Sequence, residues 1–179
     1  MNPIDSAVLV PHPQTPAAGL RAEARVERGI GGHLRLVYVV EGDNLRLPDP
    51  AGLERADGLW RTTCFEAFVG APKSEAYLEV NLSPSGRWAL YAFDGYRQGM
   101  RSPPAPPPDI EVKTSPGRIE LAARIDLAGL APEGVWRLGL TAVIERADGA
   151  KSYWSLAHPE GKPDFHNASG FLLTRAEHA

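Results

Sequence analysis

Only one cysteine, Cys64, stands in the 179 residues, so no disulfide can form within the chain. Long apolar runs are missing as well; nothing approaches the roughly 20 consecutive residues that a membrane-spanning helix needs. Positive charge is in short supply. The chain has 19 Lys and Arg against 22 Asp and Glu, a formal net charge of −3, whereas nucleic-acid and anionic-membrane partners favour a basic surface. The opening MNPIDSAVLVPHPQTP has no basic n-region and only a short apolar stretch before its prolines, unlike a signal peptide. The expectation is a cytoplasmic protein without nucleic-acid or membrane partners. Catalytic signatures are absent too: there is no GxSxG elbow, P-loop, GxGxxG or HExxH. Cys64 sits between Thr63 and Phe65 in an alternating run, with no helix N-terminus to activate it, and reads as a structural thiol.

Glycine and proline, by contrast, are plentiful, 18 and 17 residues spread along the whole chain. Both interrupt helices and mark turns, the pattern of many short strands. Between these turns the residues alternate with a period of two. The clearest run is Leu59 to Tyr96, in which Phe65, Ala67 and Val69 oppose Cys64, Glu66 and Phe68. After the turn GAPKSE, Leu78, Val80 and Leu82 oppose Tyr77, Glu79 and Asn81. After Ser83-Pro-Ser-Gly86, Trp88, Leu90 and Ala92 oppose Arg87, Tyr91 and Phe93. His33–Val40 reads as a central strand because both of its faces are rich in apolar residues. Further strands are expected from Ile110, over 118–125, over 136–144, over 153–156 and at FLLTR near the end. Residues 20–28 fit strand or helix, 41–59 read as a long loop, and DLAGLAPEG leaves room for one helical turn capped by Asp126. Residues 1–17 read as an extended lead-in pairing on a sheet edge, and 103–108 (PPAPPP) as a stiff polyproline loop. The fold expected over 1–179 is a single all-β domain, a two-sheet antiparallel immunoglobulin-like sandwich of about nine or ten strands.

The loop HPEGKPDFHN is the densest polar cluster, bringing His158, Lys162, Asp164 and His166 together between two prolines that limit the entropy lost on binding. Its alternative is a solvated loop that ends a strand. Trp154, just upstream, is a candidate apolar platform. Trp60 and Arg61 stand at the entrance of the first central strand, where the Trp either stacks on a ligand or plugs an open end of the sandwich; the large area of the ring favours the plug. Glu66 needs no explanation on a solvent face, but on a concave face it needs Arg or Lys partners. Two histidines eight apart in a loop do not make a zinc signature. The outward set Tyr77, Glu79, Asn81, Arg87, Tyr91 and Phe93 reads either as a ligand platform or as cross-strand aromatic pairing.

Three segments, WRTTCFEAFVG from Trp60, YLEVNLSPSGRWALYAFDGYR from Tyr77 and YWSLAHPEGKPDFH from Tyr153, resemble the DOMON-like domains, related to family 9 carbohydrate-binding modules and the haem- or sugar-binding DOMON superfamily. The resemblance spans about residues 30–175. It implies an immunoglobulin-like sandwich that binds its ligand in a groove without catalysis. Glu66 then takes the acidic position after the early strand, Asn81–Gly86 the Asn-x-x-Gly turn, and Trp60 and Trp154 the aromatic sugar clamp. With the loop and entrance residues read above, the ligand expected is a carbohydrate or similar small polar molecule held by Trp60, Arg61, Glu66, Trp154, His158, Lys162, Asp164 and His166. One alternative is a b-type haem domain drawing axial ligands from Met100, His158, His166 and Lys162. Another is a sugar-acting hydrolase or isomerase using Glu66, Asp164 and a histidine.

Overall fold

The computed structural model describes residues 5–177. Its strands are β1 (Asp5–Pro11), β2 (Arg21–Arg28), β3 (His33–Glu41), β4 (Cys64–Gly70), β5 (Tyr77–Leu82), β6 (Trp88–Phe93), β7 (Asp109–Ser115), β8 (Arg118–Asp126), β9 (Trp136–Glu145), β10 (Lys151–Ser155) and β11 (Leu173–Arg175). Three 3-10 turns, Ile30–Gly32, Leu59–Arg61 and Ala168–Gly170, are the helical elements among the described residues. No described helix is long and apolar enough to cross a membrane. The central strands fall where alternation puts them, and residues 21–28 are strand, because Ala22, Ala24 and Val26 bury one face against β3. Asp126 caps the turn after β8, its Oδ1 accepting the Ala128 N–H at 2.9 Å.

The chain is nearly all β, but its ladders do not separate into the two sheets expected. All strand neighbours are antiparallel in the order β6-β5-β4-β9-β10-β1-β2-β3-β8-β7, with β11 added beside β9. The result is one large curled sheet of eleven strands. The physical cause lies in β1. Its Asp5–Leu9 stretch pairs with β2, while Val10 and Pro11 pair with β10, so one strand passes from one limb of the sheet to the other. Residues 5–11 therefore join the two limbs and do not hang on an edge, while residues 1–4 of the expected lead-in lie outside the described residues. Residues 103–108 lie outside any strand, as their prolines require.

One apolar cluster fills the space between the limbs. It takes Ala22, Leu36, Tyr38 and Leu121 from β2, β3 and β8, and Phe65, Val80, Leu90 and Leu140 from β4, β5, β6 and β9. Tyr38 ties the two, its hydroxyl donating to the Glu66 carbonyl oxygen at 2.5 Å and its ring stacked on Phe65 at 4.9 Å. The opposite faces of β4, β5 and β6 are buried as well, since every residue of these strands is covered. A second cluster forms there from Leu59, Cys64, Phe68, Tyr77, Ala89, Tyr91, Phe93 and Phe171. The aromatic outer face is thus neither solvated nor a flat platform: the segment ending in Phe171 folds back over it, with Phe171 stacked on Phe68 at 5.4 Å. Gly139, directly across from Phe68, makes this possible, because a Cβ there would stand 2.7 Å from the Phe171 ring.

Candidate functional site

Register builds the site. Across the outer face run two rows of side chains, Thr141–Glu66–Asn81–Ala89 and Gly139–Phe68–Glu79–Tyr91, each residue paired directly with the next. Directly paired residues share a face, and so do residues two apart on one strand. Glu66 and Glu79 are therefore diagonal neighbours on one surface. Over that surface opens a cavity of about 720 Å³, within the roughly 300–1,000 Å³ of small-molecule sites. Glu66, Glu79, Tyr91, Phe93 and Val143 form its floor, Arg97, Phe165 and His166 one wall, and Asp57, Trp60 and Arg61 stand at the other side.

Both floor carboxylates are deeply buried, Glu66 at 3% exposure and Glu79 at 6%. The expectation that a sheltered Glu66 would find an Arg or Lys partner is not met. Its Oε2 accepts from the Thr141 hydroxyl at 3.3 Å. Burial, reinforced by the charge of Glu79, pushes the Glu66 carboxyl well up. Burial raises Glu79 less, because Asn81 Nδ2 donates to its Oε1 at 2.9 Å and Arg97 lies near.

His166 hangs over this floor from the returning loop, edge-on to Phe93 at 5.1 Å and to Phe68 at 5.4 Å. The Tyr77 hydroxyl oxygen accepts the Arg97 backbone N–H at 3.2 Å and lies 2.8 Å from His166 Nδ1. The other ring nitrogen, Nε2, faces Glu79 Oε2 at 3.6 Å. Burial, with help from the Arg97 charge, lowers the imidazole to about 4, so it is neutral at neutral pH.

Arg97 braces the wall. It adopts a left-handed backbone (φ 53°), which is uncommon for a side-chain-bearing residue, and its Nη2 pairs with Asp164 Oδ1 at 2.9 Å. Asp164 also accepts from the Tyr96 hydroxyl at 2.7 Å and the His166 N–H at 3.2 Å. Burial alone would raise this carboxyl, but the Tyr96 and Arg97 hydrogen bonds outweigh it and hold it below its ordinary range. Opposite, the Tyr91 hydroxyl donates to Asp57 Oδ1 at 2.5 Å, and burial together with that bond pushes the phenol up. Gly58, left-handed at φ 70°, starts the turn that sets Trp60 at the rim. Trp60 is 52% exposed, so it does not plug the fold; the Arg61 guanidinium lies 5.6 Å from its ring centre.

Of the eight residues expected to bind ligand, the cavity brings together Trp60, Arg61, Glu66 and His166. Asp164 contributes through Arg97. Trp154 does not reach the site: at 2% exposure it belongs to the main core, its indole N–H donating to Ser152 Oγ at 2.8 Å. Parity explains this. Trp154 pairs with inward-facing Ala142, whereas its neighbour Tyr153 pairs with Val143 and turns to the cavity. His158 lies apart from the lining, edge-on to His12 at 4.9 Å with Nε2 donating to the Val10 carbonyl at 2.9 Å, and Lys162 is not part of the lining either. The four side chains considered for haem therefore do not converge. Met100 and His166 line the cavity, but both His166 nitrogens face protein groups and the floor is anionic, a poor fit to haem. Glu66 and Asp164 do not form a facing pair, since Asp164 is turned to Arg97 and Tyr96. Among the described residues no group of three or more His, Cys, Asp or Glu is placed to hold a metal ion. Arg97, Asp57, Tyr153 and Phe165 complete the site without any motif announcing them.

No protein-family model and no curated protein matches the chain. Solved structures do resemble it. A Bacteroides uniformis protein provisionally described as carbohydrate-binding superposes with a TM-score of 0.66 at 15% identity, over 93% of this chain and 84% of its own. A family 9 carbohydrate-binding module from Caldicellulosiruptor kristjanssonii in complex with cellotriose gives a TM-score of 0.55 at 11% identity, over 88% and 75% of the two chains. The same module with glucose gives 0.55 and 11%, over 88% and 76%. The chain thus has a carbohydrate-binding-module-like fold.

Proposed function

We propose that this protein is a non-catalytic carbohydrate-binding domain of the DOMON-like kind, and that the cavity over β4, β5, β6 and β9 is its binding site. The observation that carries this reading is the pairing of a half-exposed Trp60 at the rim with a floor and wall of fixed polar groups, Glu66, Glu79, Arg97 and His166. A pyranose has an apolar C–H face and a hydroxylated edge; the ring of Trp60 suits the first and the polar groups suit the second. The likeness of fold to modules in complex with glucose and cellotriose supports the same ligand class. Glu66 and Glu79 stand side by side on one floor, whereas glycoside cleavage uses carboxyl groups that flank the scissile bond. That arrangement suits recognition over hydrolysis.

The test is calorimetric and NMR titration with glucose, cellotriose and a panel of other neutral and amino sugars. Binding is expected with dissociation constants on the order of millimolar to micromolar. Its resonance shifts should centre on Trp60, Arg97 and His166. Absence of any binder at millimolar concentration would sink the proposal, as would shifts centred on another face.

A further inference from the structure

The floor of the cavity is short of hydrogen-bond donors. Glu66 and Glu79 present carboxylate oxygens to it, and the hydrogen bonds they receive come from the Thr141 hydroxyl and the Asn81 amide, with His166 Nε2 standing 3.6 Å from Glu79 Oε2. No lysine or arginine nitrogen lies within ion-pair distance of either carboxylate among the described residues. Asn81, outside the cavity lining, backs Glu79 with its amide. It is 1% exposed, sits directly across from Glu66 on the same face, and spends its amide on Glu79, which leaves its Oδ1 without a partner. A buried acceptor left unpaired costs on the order of 1–3 kcal/mol, and two buried carboxylates without an ion-pair partner cost more. Arg97, whose charge acts on both carboxylates, is paired with Asp164.

Resting on the carbohydrate reading above, we infer that the ligand carries an ammonium group, as a protonated amino sugar does, and that it seats this group on Glu66 and Glu79, the two buried carboxylates that line the cavity. An ammonium offers three N–H donors and one positive charge. Those are the donors and the charge the floor lacks. A neutral hydroxyl provides a single proton and no charge, so it relieves only part of the deficit.

The test compares glucose, N-acetylglucosamine and protonated glucosamine by calorimetry on the wild-type protein, followed by Glu66→Gln and Glu79→Gln. Glucosamine is expected to bind about tenfold or more tightly than either neutral sugar, the scale of a charge-assisted over a neutral hydrogen bond. Each Gln variant should bring that ratio close to one, with thermal unfolding run alongside to verify the fold. Equal or weaker binding of glucosamine by the wild type overturns the inference while leaving the carbohydrate reading intact, provided the neutral sugars bind. A preference that persists in both variants also overturns it, since the ammonium is then held elsewhere. If no sugar of either kind binds, both readings fall.

Discussion

Trp60→Ala isolates the contribution of the rim aromatic. The side chain leaves 52% of its surface open in the free protein. A Trp presents roughly 250 Å², so about 130 Å² is open and one ring face accounts for about half of it. Covering about 65 Å² of apolar ring at about 25 cal/mol per Å² contributes about 1.6 kcal/mol. The variant should therefore bind the tightest sugar of the panel about 15-fold more weakly. Its folding stability should barely change, because the ring packs little and exposed substitutions usually stay within about 0.5 kcal/mol. Calorimetric titration and chemical denaturation of the same two proteins check both halves. An affinity within twofold of wild type refutes the stacking role. A weakened affinity accompanied by a large stability loss refutes it differently, by showing that Trp60 holds the fold.

Trp154→Ala should behave in the opposite way, losing about 3–5 kcal/mol in denaturant unfolding because it empties a fully packed core position; a loss below about 1 kcal/mol would contradict its placement. Gly139→Ala should cost about 1–3 kcal/mol, since the new methyl meets the Phe171 ring at 2.7 Å and one of them must move. Intact stability in that variant would mean that Phe171 does not cover Phe68. For His166 the sign follows from its lowered value. The folded imidazole titrates at about 4 and the unfolded one at its ordinary 6.5, so the unfolded chain binds the extra proton and stability falls as pH drops between them. Glu66 and Glu79, raised in the fold, act in the opposite direction in both wild type and His166→Gln, so the imidazole is read against that shared background. Between about pH 7 and about pH 5 the wild type should lose about 1–2 kcal/mol more than the variant. Parallel stability curves for the two proteins would show that His166 is not shielded.

Strand positions and inward faces were legible because burial acts locally on a two-residue period. Phe65, Ala67, Val69, Leu78, Val80 and Leu82 face the core as alternation alone requires. The opposite face carries the same period, but periodicity does not say what covers it. There the closing segment decides, since His166 and Phe171 reach Tyr77 and Phe93 only through a return of the chain some 70 to 95 residues later. Trp154 shows the same limit on a smaller scale. Its residue type drew it toward the site, yet its pairing with Ala142 sends it inward and gives the cavity to Tyr153.

The run from Leu59 to Tyr96 by itself determined the β class, the positions of β4, β5 and β6, and which of their side chains build the core, because a period of two leaves each residue only two faces to choose between. Tertiary structure alone decided that β1 joins both limbs into one curled sheet and that Glu66 and Glu79 share a buried floor. It also set Arg97, Asp164 and Tyr77 to hold His166 over that floor. Each of these depends on register and contact between distant segments, and such contacts leave no periodic trace along the chain.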